Sequence, residues 1–375
     1  MIFYSLLKYS NKFSTKIAKK LFFIVKTFQK PYNRSFAAVM HKFLIIQTAF
    51  TGDVVLATAL IEKLHNHFRD AQIDFLLRKG NEGLLKEHPY ITNLLIWDKK
   101  NGKNKNLLKL ALRVRSEKYT HVINPHRFAT SGIITLLSGA GYKAGFDKNP
   151  LSFCYTKKVH HQLSEPYSQD PVHETDRNNL LISDFTDSDK SFPKLYPAPT
   201  DYQLVKQYQV TPYICIAPSS VWFTKQFPAS KWVSLINELP AEYRIYLIGA
   251  PTDKELGDGT LQSTTNRNVE NLCGKLNFLQ SAALMQQAAM NYTNDSAPLH
   301  FATAMNAPVT AVFCSTVPAF GFGPLRENAR IVEVSERLAC RPCGLHGHRQ
   351  CPEKHFRCAM DITNQQLLWW TLKTT

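Results

Sequence analysis

The stretch from Phe43 to Leu64 constrains the fold more than any other part of the chain. It begins with the apolar run Phe43–Ile46, short enough for a buried strand, and continues through a loop of small residues, Gln47–Thr51. Gly52 and Asp53 then lead into apolar residues at helical spacing, namely Val54, Val55, Ala57, Leu60, Ile61 and Leu64. A strand, a tight loop and a helix in this order predict the first unit of a parallel α/β sheet.

Asp53 lies between the predicted strand and its helix, the position at which parallel α/β sheets bind ligands. Two interpretations of this carboxylate are open. Asp53 either only caps the helix, because Asp accepts hydrogen bonds from free backbone amides there, or it belongs to a functional site. Since the positive end of a helix dipole favours an ionised carboxylate, we expect Asp53 to be charged and not strongly basic.

The chain is long enough for two domains, and its charge is strongly positive. Its 375 residues are 44% hydrophobic, which is sufficient for a large core. Lys and Arg exceed Asp and Glu by 16, which favours acidic partners such as phosphates, nucleic acid or an anionic membrane surface. Eight of the cations lie in residues 1–40, which contain no acid. The excess of eight in the remaining 335 residues is ordinary for a protein that binds no nucleic acid.

Residues 1–39 are predicted to be a basic extension ahead of the first domain. Their lysines interrupt every apolar run before it reaches the length of a transmembrane helix. The order of a signal peptide is also missing, because the apolar stretch Leu21–Val25 is short and no small-residue cleavage site follows it. Two interpretations are open, a basic amphipathic helix on a membrane surface and a disordered, dispensable tail.

The rest of the chain divides into two α/β series. Residues 40–185 are predicted to form the first domain, 186–212 a proline-rich linker, 213–360 the second domain and 361–375 a C-terminal helix. The predicted strands are Phe43–Ile46, Ile73–Leu77, Leu94–Trp97, His121–Asn124 and Ala144–Phe146, followed by Tyr213–Ala217, Arg244–Ile248, Met290–Thr293, Val309–Phe313 and Ile331–Val334. Strands that alternate with helices predict two doubly wound parallel sheets, with a cleft between the domains.

Signatures of several enzyme classes are absent from the sequence, whereas loops suited to phosphate are present. There is no G-x-G-x-x-G, no G-x-x-x-x-G-K-[ST] and no G-x-S-x-G motif, which argues against dinucleotide oxidoreductases, P-loop hydrolases and serine hydrolases. Lys225 precedes a helix opened by Pro228, and Asn294–His300 forms a polar strand-to-helix turn. Helix N-termini with adjacent cations bind anions, so these loops are candidate phosphate sites.

Four segments together resemble the ADP-heptose:lipopolysaccharide heptosyltransferases, glycosyltransferase family 9. They are Thr51–Thr58 (TGDVVLAT), Ser219–Trp232 (SSVWFTKQFPASKW), Asn294–His300 (NDSAPLH) and the cysteine-containing Cys340–Cys358. The resemblance extends from about Met40 to the end of the chain. It implies the GT-B fold, in which two Rossmann-like domains face one cleft. It further implies transfer of heptose from ADP-heptose to the lipid A–inner core of lipopolysaccharide, with inversion at the anomeric carbon.

The resemblance also implies roles for single residues. Asp53 matches the catalytic base, which takes the proton from the acceptor hydroxyl. The residues that match the family's contacts to the donor nucleotide and its diphosphate are Ser219, Ser220, Lys225, Asp295, Ser296, Ala297 and His300. The family usually has Gly at the position of Ala297, so a close approach of the backbone to phosphate is less free here. The family's acidic residue after the strand ending at Gly249 is either Asp253 or Glu255.

These residue types fit an inverting displacement. Such a reaction needs a base on one face of the sugar and stabilisation of the departing diphosphate on the other. Because Lys225 and helix amides provide that stabilisation, no metal or other cofactor is required. Arg127, after the fourth predicted strand, is a candidate contact for the acidic acceptor. The resemblance places the enzyme in the cytoplasm, peripherally on the inner membrane, where lipid A–core acceptors are made.

The C-terminal cysteines permit a second interpretation. Cys340, Cys343, Cys351 and Cys358 lie within 19 residues, and three histidines lie among them. A Cys-x-x-Cys pair suits zinc, but the second pair does not repeat that spacing. The sequence favours reduced structural thiols and leaves a zinc site as the alternative.

Two further functions are open as alternatives. The same fold can transfer another nucleotide-activated sugar to a surface glycan. More distantly, the chain is a non-catalytic protein that binds nucleic acid through its charge and a zinc cluster.

Overall fold

Two parallel sheets of six strands make up the computed structural model, which describes residues 41–100 and 102–368. The strands of the first sheet are β1 (Lys42–Ile46), β2 (Gln72–Arg78), β3 (Asn93–Trp97), β4 (His121–Asn124), β5 (Tyr142–Phe146) and β6 (Lys157–Val159). Those of the second are β7 (Tyr213–Ala217), β8 (Arg244–Leu247), β9 (Val269–Asn271), β10 (Met290–Asn294), β11 (Val309–Phe313) and β12 (Ala329–Glu333).

The two sheets have the same topology. The first has the order β3-β2-β1-β4-β5-β6, and the second has the equivalent order β9-β8-β7-β10-β11-β12. In each sheet the chain reverses its direction of winding between the first and fourth strands, and ligands bind at the carboxyl ends of strands at such a switch point. The predicted fold class, two doubly wound Rossmann-like sheets, is confirmed.

Helices connect the strands and cover both sheets. The first half contains α1 (Thr51–His67), α2 (Lys103–Ser116), α3 (Ala129–Leu137) and α4 (Glu174–Asn179), and α5 (Pro199–Val205) follows. The second half contains α6 (Ala229–Glu238), α7 (Lys254–Ser263), α8 (Phe278–Gln286), α9 (Ala297–Ala304), α10 (Arg357–Met360) and α11 (Asn364–Leu368). No described helix is both long enough and apolar enough to cross a membrane.

Helix α1 is buried on all sides over most of its length. Every residue from Val54 to Leu64 is buried, including the charged pair Glu62 and Lys63. The chain between the two sheets provides their partners, because the Tyr196 hydroxyl donates to Glu62 at 2.7 Å and Lys63 pairs with Asp187 at 2.9 Å. A helix buried all round belongs to the interior of a structure.

The interior around α1 is shared by both sheets. One apolar cluster includes β1 and β2, the inner faces of α1, α5, α8 and α9, and strands β7 and β11. A separate cluster fills the other face of the first sheet beneath α2 and α3. A third lies under α6 and the C-terminal segment. Because the first cluster is continuous, the two sheets are held in one compact unit.

All ten predicted strands are present, with bounds that differ by at most two residues at either end. Two three-residue edge strands, β6 and β9, were not predicted, since Lys157–Val159 and Val269–Asn271 are too short and too polar to show a pattern. Between β2 and β3, Glu82–Leu84 forms a single 3-10 turn. Helices α4, α5, α7 and α10 were also not predicted.

The predicted domain boundaries at 186, 213 and 361 stay predictions. The predicted linker 186–212 contains helix α5. The N-terminal extension 1–39 lies outside the described residues, as does the end of the predicted C-terminal helix, which is described only from Asn364 to Leu368.

Candidate active site

Asp53 lies in the first turn of α1, at the carboxyl end of β1. Its carboxylate accepts a hydrogen bond from the backbone amide of Phe50 at 3.2 Å. Asp53 therefore does cap the helix, and this role does not exclude a second one. The side chain is only partly buried. It therefore keeps access to the cleft, which a cap alone does not need.

The environment of Asp53 makes it more basic than the sequence suggested. Burial of the carboxyl group raises its pKa to about 6, and the negative charge of Glu174 adds to the effect. The Phe50 amide and the charges of Arg127 and Lys225 oppose it. The pKa of Asp53 is higher than a position at a helix N-terminus alone would give, because desolvation exceeds the stabilising effect of that N-terminus. At neutral pH the group is still mostly ionised.

Lys225 lies across the cleft in the second domain and is held by a buried carboxylate. Its ammonium group is 2.6 Å from an Asp295 carboxylate oxygen, and the two side chains are 16% and 7% exposed. The Thr316 hydroxyl donates to the same oxygen of Asp295 at 2.7 Å. An ammonium group has three hydrogen-bond donors, so the pair with Asp295 fixes Lys225 and leaves donors for an anion.

The N-termini of α1 and α9 meet at the base of the cleft. A Cβ atom placed on Gly52 would lie 2.7 Å from Cδ2 of His300, so only glycine permits this approach. Burial lowers the pKa of His300 to about 3, which keeps the imidazole neutral. Its Nδ1 atom has no hydrogen-bond partner among the described residues. Ser296 and Ala297 lie at the start of α9, where free amides favour an anion.

The loop after β7 is tied to the loop after β10 by Asn294. Its side-chain amide donates to the carbonyls of Pro218 and Ser219 at 3.0 and 3.2 Å, and its oxygen accepts from the Phe227 amide at 2.8 Å. Ser220 lies in the same loop, where its amide donates to the side chain of Gln226 at 3.3 Å. Asn294 therefore sets the positions of both candidate phosphate loops.

Of the two candidate acidic residues after β8, Asp253 lies closer to the loop after β7 than Glu255 does. The Ser219 hydroxyl donates to Asp253 at 2.8 Å, and the Ala250 amide donates to its other oxygen at 2.8 Å. Glu255 is exposed on α7. Asp253 is therefore the acidic group beside the loop after β7. A cavity of about 460 Å³ begins next to it, lined by Pro251, Lys254, Asp258, Leu261, Glu270, Asn271, Cys273, Gly274 and Lys275.

Arg127 lies on the first-domain side of the cleft, between β4 and α3. Its positive charge lowers the pKa of both Asp53 and His346, which places the guanidinium near these two groups. The next residue, Phe128, is 65% exposed. A cation and an exposed aromatic ring thus border the cleft beside Asp53.

A buried ionic segment at the start of α4 was not found by sequence reasoning. Glu174 accepts from Arg177 at 2.9 Å, and together with His161 this arginine holds the pKa of Glu174 below its ordinary value against the effect of burial. His173 Nε2 donates to the carbonyl of Gly323 at 3.0 Å. Arg177 donates to the carbonyl of Phe320 at 2.7 Å. No pattern in the polar stretch 147–185 indicated these links to the second sheet.

The C-terminal loop around His346 also reaches the cleft, which the sequence did not predict. The His348 amide donates to the Thr224 hydroxyl at 2.7 Å, and a Cβ atom on Gly347 would meet this hydroxyl at 2.9 Å and Lys225 at 3.0 Å. Burial and the charges of Lys225 and Arg127 lower the pKa of His346. The imidazole therefore adds a neutral polar group beside Lys225.

The cysteines of this C-terminal segment are free thiols. The Cys343 thiol donates to the carbonyl of Cys340 at 3.1 Å, and Cys340 Sγ is 3.9 Å from Nε2 of His355. Burial raises the pKa of the Cys358 thiol to about 12. Within residues 41–100 and 102–368, no three His, Cys, Asp or Glu side chains converge as metal ligands. The choice between structural thiols and zinc stays a prediction.

Two doubly wound Rossmann-like sheets in one compact unit make up the GT-B fold, and a fold of this kind does not by itself define an activity. The comparisons with known proteins identify the family. The family model of glycosyltransferase family 9 (heptosyltransferase) matches residues 107–356, two thirds of the chain. The chain belongs to this family and is an enzyme that transfers a sugar.

Similar proteins include characterised and solved members of the family. The chain is 28% identical over 301 residues to lipopolysaccharide heptosyltransferase 3 of Escherichia coli strain K12, covering 74% of this chain and 84% of that protein. The E. coli ADP-heptose lps heptosyltransferase II structure has a TM-score of 0.71 at 20% identity, covering 88% and 98%. A family 9 structure from Veillonella parvula has a TM-score of 0.75 at 18% identity, covering 89% and 96%.

Proposed function

We propose that this enzyme transfers heptose from ADP-heptose to the inner core of lipopolysaccharide, with inversion at the anomeric carbon. The family assignment and the names of its relatives, which are lipopolysaccharide heptosyltransferases, support the sugar and the acceptor. The observation that carries the proposal is the position of Asp53, a carboxylate whose pKa is raised to about 6, near the Lys225–Asp295 pair across the cleft.

In the proposed reaction Asp53 is the general base. Its carboxylate takes the proton from the acceptor hydroxyl while the oxygen of that hydroxyl forms a bond to the anomeric carbon. The bond from this carbon to the diphosphate oxygen breaks, and the electron pair leaves with ADP. A base works best with a pKa near the working pH, and a value of about 6 meets this condition better than that of an ordinary aspartate.

Lys225 and the amides at the start of α9 are proposed to stabilise the departing diphosphate without a metal. Fixed donors aimed at developing charge lower the barrier most when they need no reorganisation. The ion pair with Asp295 holds Lys225 in place before the donor arrives. The Nδ1 atom of His300 is buried and has no hydrogen-bond partner among the described residues, and His300 is proposed to contact the donor. Ser219, Ser220 and Ser296 are proposed as further donor contacts.

The acceptor is proposed to enter from the first-domain side, past Arg127. An inner core is acidic, and its lipid A anchor lies in the inner membrane, so the enzyme is proposed to act peripherally at the cytoplasmic face of that membrane. A planar guanidinium recognises phosphate and carboxylate groups through paired hydrogen bonds. Arg127 is half-buried and close to Asp53, which fits a residue that orients an acidic acceptor against the base.

Transfer from ADP-heptose to a defined lipid A–core acceptor tests the proposal. Native protein is expected to form product with inverted anomeric configuration by NMR, whereas Asp53→Asn is expected to lose activity by 10²-fold or more, as for removal of a general base. Undiminished transfer by Asp53→Asn would remove the base assignment. Transfer with retained configuration would exclude the single displacement.

A second donor is considered because of one residue. Ala297 occupies a position at which the family usually has glycine. Its methyl group therefore limits how closely the donor can approach the α9 backbone. The same transfer experiment with other nucleotide-activated hexoses distinguishes ADP-heptose from a different donor sugar. A higher kcat/KM for another sugar than for ADP-heptose would assign the enzyme to a different surface glycan.

A further inference from the structure

Helix α2 presents an unusual outer face. Leu108 and Leu112 lie one turn apart and are 56% and 59% exposed. Lys105, Lys109 and Arg113 are also exposed and form a second row at i, i+4 spacing beside the leucines. Single exposed leucines are common on protein surfaces, but two in one row beside a row of cations form an amphipathic surface.

The charge of this face is uniform. The helix contains five cations and no acid. Among the described residues, Lys105, Lys109 and Arg113 form no ion pair within 4 Å. Glu117 lies near enough for the charge of Arg113 to lower its pKa, but its ion pair at 2.8 Å is with Lys42. Like charges at i, i+4 destabilise a helix, so this row opposes α2 unless an anionic surface compensates it.

The position of α2 links this face to the cleft. In a parallel sheet, the helix after β3 begins at the edge where the strands end, which is the edge that also holds Asp53 and Arg127. Helix α2 packs next to α3 over one apolar cluster, and the exposed Phe128 immediately precedes α3. A surface bound along α2 would therefore lie next to the acceptor side of the cleft.

We propose that the outer face of α2 is the docking surface for an anionic phospholipid bilayer. The leucines enter the boundary between headgroups and acyl chains, and the lysines extend along the surface with their charges among the phosphates. Other occupants fit less well. A second copy of α2 would bring like charges together, and residues 1–40 contain eight cations and no acid. Nucleic acid would leave the leucines in water.

Docking through α2 would bring the enzyme to a lipid-anchored acceptor. The docking surface rests on the proposed function only for this biological purpose. Each Lys or Arg near an anionic membrane strengthens membrane binding by electrostatic attraction, so the removal of two is expected to weaken binding by about thirtyfold. Removal of two half-exposed leucines from the boundary region is expected to weaken it by about tenfold or more.

Vesicle sedimentation with the full chain tests the surface directly. Native protein is mixed with vesicles of phosphatidylcholine alone or with 30% phosphatidylglycerol by composition, at low and high salt. Binding is expected only with phosphatidylglycerol and is expected to weaken with salt. Lys109→Gln/Arg113→Gln and Leu108→Gln/Leu112→Gln are each expected to lose binding by the factors above. Circular dichroism verifies that the variants are folded.

A matched variant controls for total charge. Lys158→Gln/Lys206→Gln removes two cations from exposed positions outside α2 and is expected to bind vesicles like native protein. Equal binding by the α2 variants and native protein would overturn the proposal, whichever other segment then holds the bilayer. Equal loss in the control and in Lys109→Gln/Arg113→Gln would overturn it as well, because net charge alone would then explain binding.

An activity measurement separates this proposal from the proposed function. The α2 variants are expected to transfer sugar at the native rate to a soluble core oligosaccharide without lipid A, and at least tenfold more slowly to the same core in phosphatidylglycerol vesicles. Equal losses on both acceptors would overturn the docking role. No transfer by native protein to either acceptor would contradict the proposed function, while the vesicle-binding result would still stand.

Discussion

Replacement of Asp53 by asparagine is expected to make the protein more stable while it removes the proposed base. The pKa of Asp53 is raised from 3.8 to about 6, and one pKa unit corresponds to about 1.4 kcal/mol. The ionised carboxylate therefore destabilises the native state by at most about 3 kcal/mol. Because the side chain is partly exposed, solvent screening reduces this to about 1–2 kcal/mol. Asparagine retains an oxygen that accepts from the Phe50 amide.

The effect of Asp53 on the stability of the protein depends on pH, and its sign follows from the raised pKa. A carboxyl group with a raised native pKa binds a proton more readily when folded, so its contribution to stability falls as the pH rises through 6. The penalty is present above pH 6 and absent below about pH 4. Asp53→Asn is therefore expected to exceed native protein in stability at pH 7.5, and the difference is expected to shrink towards pH 4.

Urea unfolding at pH 7.5 and pH 5, followed by tryptophan fluorescence, measures the difference. Asp70→Asn removes an exposed carboxylate in the loop after α1 and controls for the loss of one charge. If Asp53→Asn is no more stable than native protein at pH 7.5, burial does not raise the pKa of Asp53. A gain of the same size in Asp70→Asn would attribute the effect to net charge.

Three further changes test other parts of the cleft. Gly52→Ala is expected to lower the free energy of unfolding by about 1–3 kcal/mol, because the added methyl group overlaps His300. Gly259→Ala is the control: it lies in open space on α7 and is expected to raise the free energy of unfolding by up to about 1 kcal/mol. Equal effects of the two changes would contradict the close approach of α1 to α9. Lys225→Ala is expected to weaken ADP binding at least tenfold by isothermal titration, from the loss of a charged hydrogen bond of about 1.5–3 kcal/mol, and unchanged binding would remove its assigned role. Glu174→Gln is expected to move the acid limb of the kcat/KM profile below pH 6, because the negative charge that raises the pKa of the base is gone; a shift to higher pH would contradict this.

The fold was predictable where hydrophobic pattern alone determines structure. Strand β7 is apolar and buried throughout, and β1 is apolar and buried after Lys42, so the hydrophobic pattern defines both strands. The three-residue strand β6 consists of two lysines and a valine and is too short to show a pattern, and it forms because β5 provides a parallel edge. Pairing of that kind depends on tertiary structure, which a local pattern does not contain.

The candidate site was predictable in its residue types but not in its electrostatics. Asp53 and Asp295 follow predicted strands, Lys225 precedes a predicted helix, and the resemblance to glycosyltransferase family 9 implied their roles. The ion pair between Lys225 and Asp295 joins residues 70 positions apart, and the raised pKa of Asp53 depends on Glu174, more than 100 positions away. These effects follow from burial and from distance in space, neither of which the sequence order supplies.

The central position of α1 has a consequence for how such an enzyme can diversify. This helix is encoded in the first half of the chain, yet its apolar surface is completed by α9 and by the residues between the two sheets. If the second half of the chain were exchanged between relatives, its α9 would not match the apolar surface of α1, and the interior would be poorly packed. New donor specificity is therefore expected to arise by point substitution within the loops after β7 and β10, with both halves inherited together.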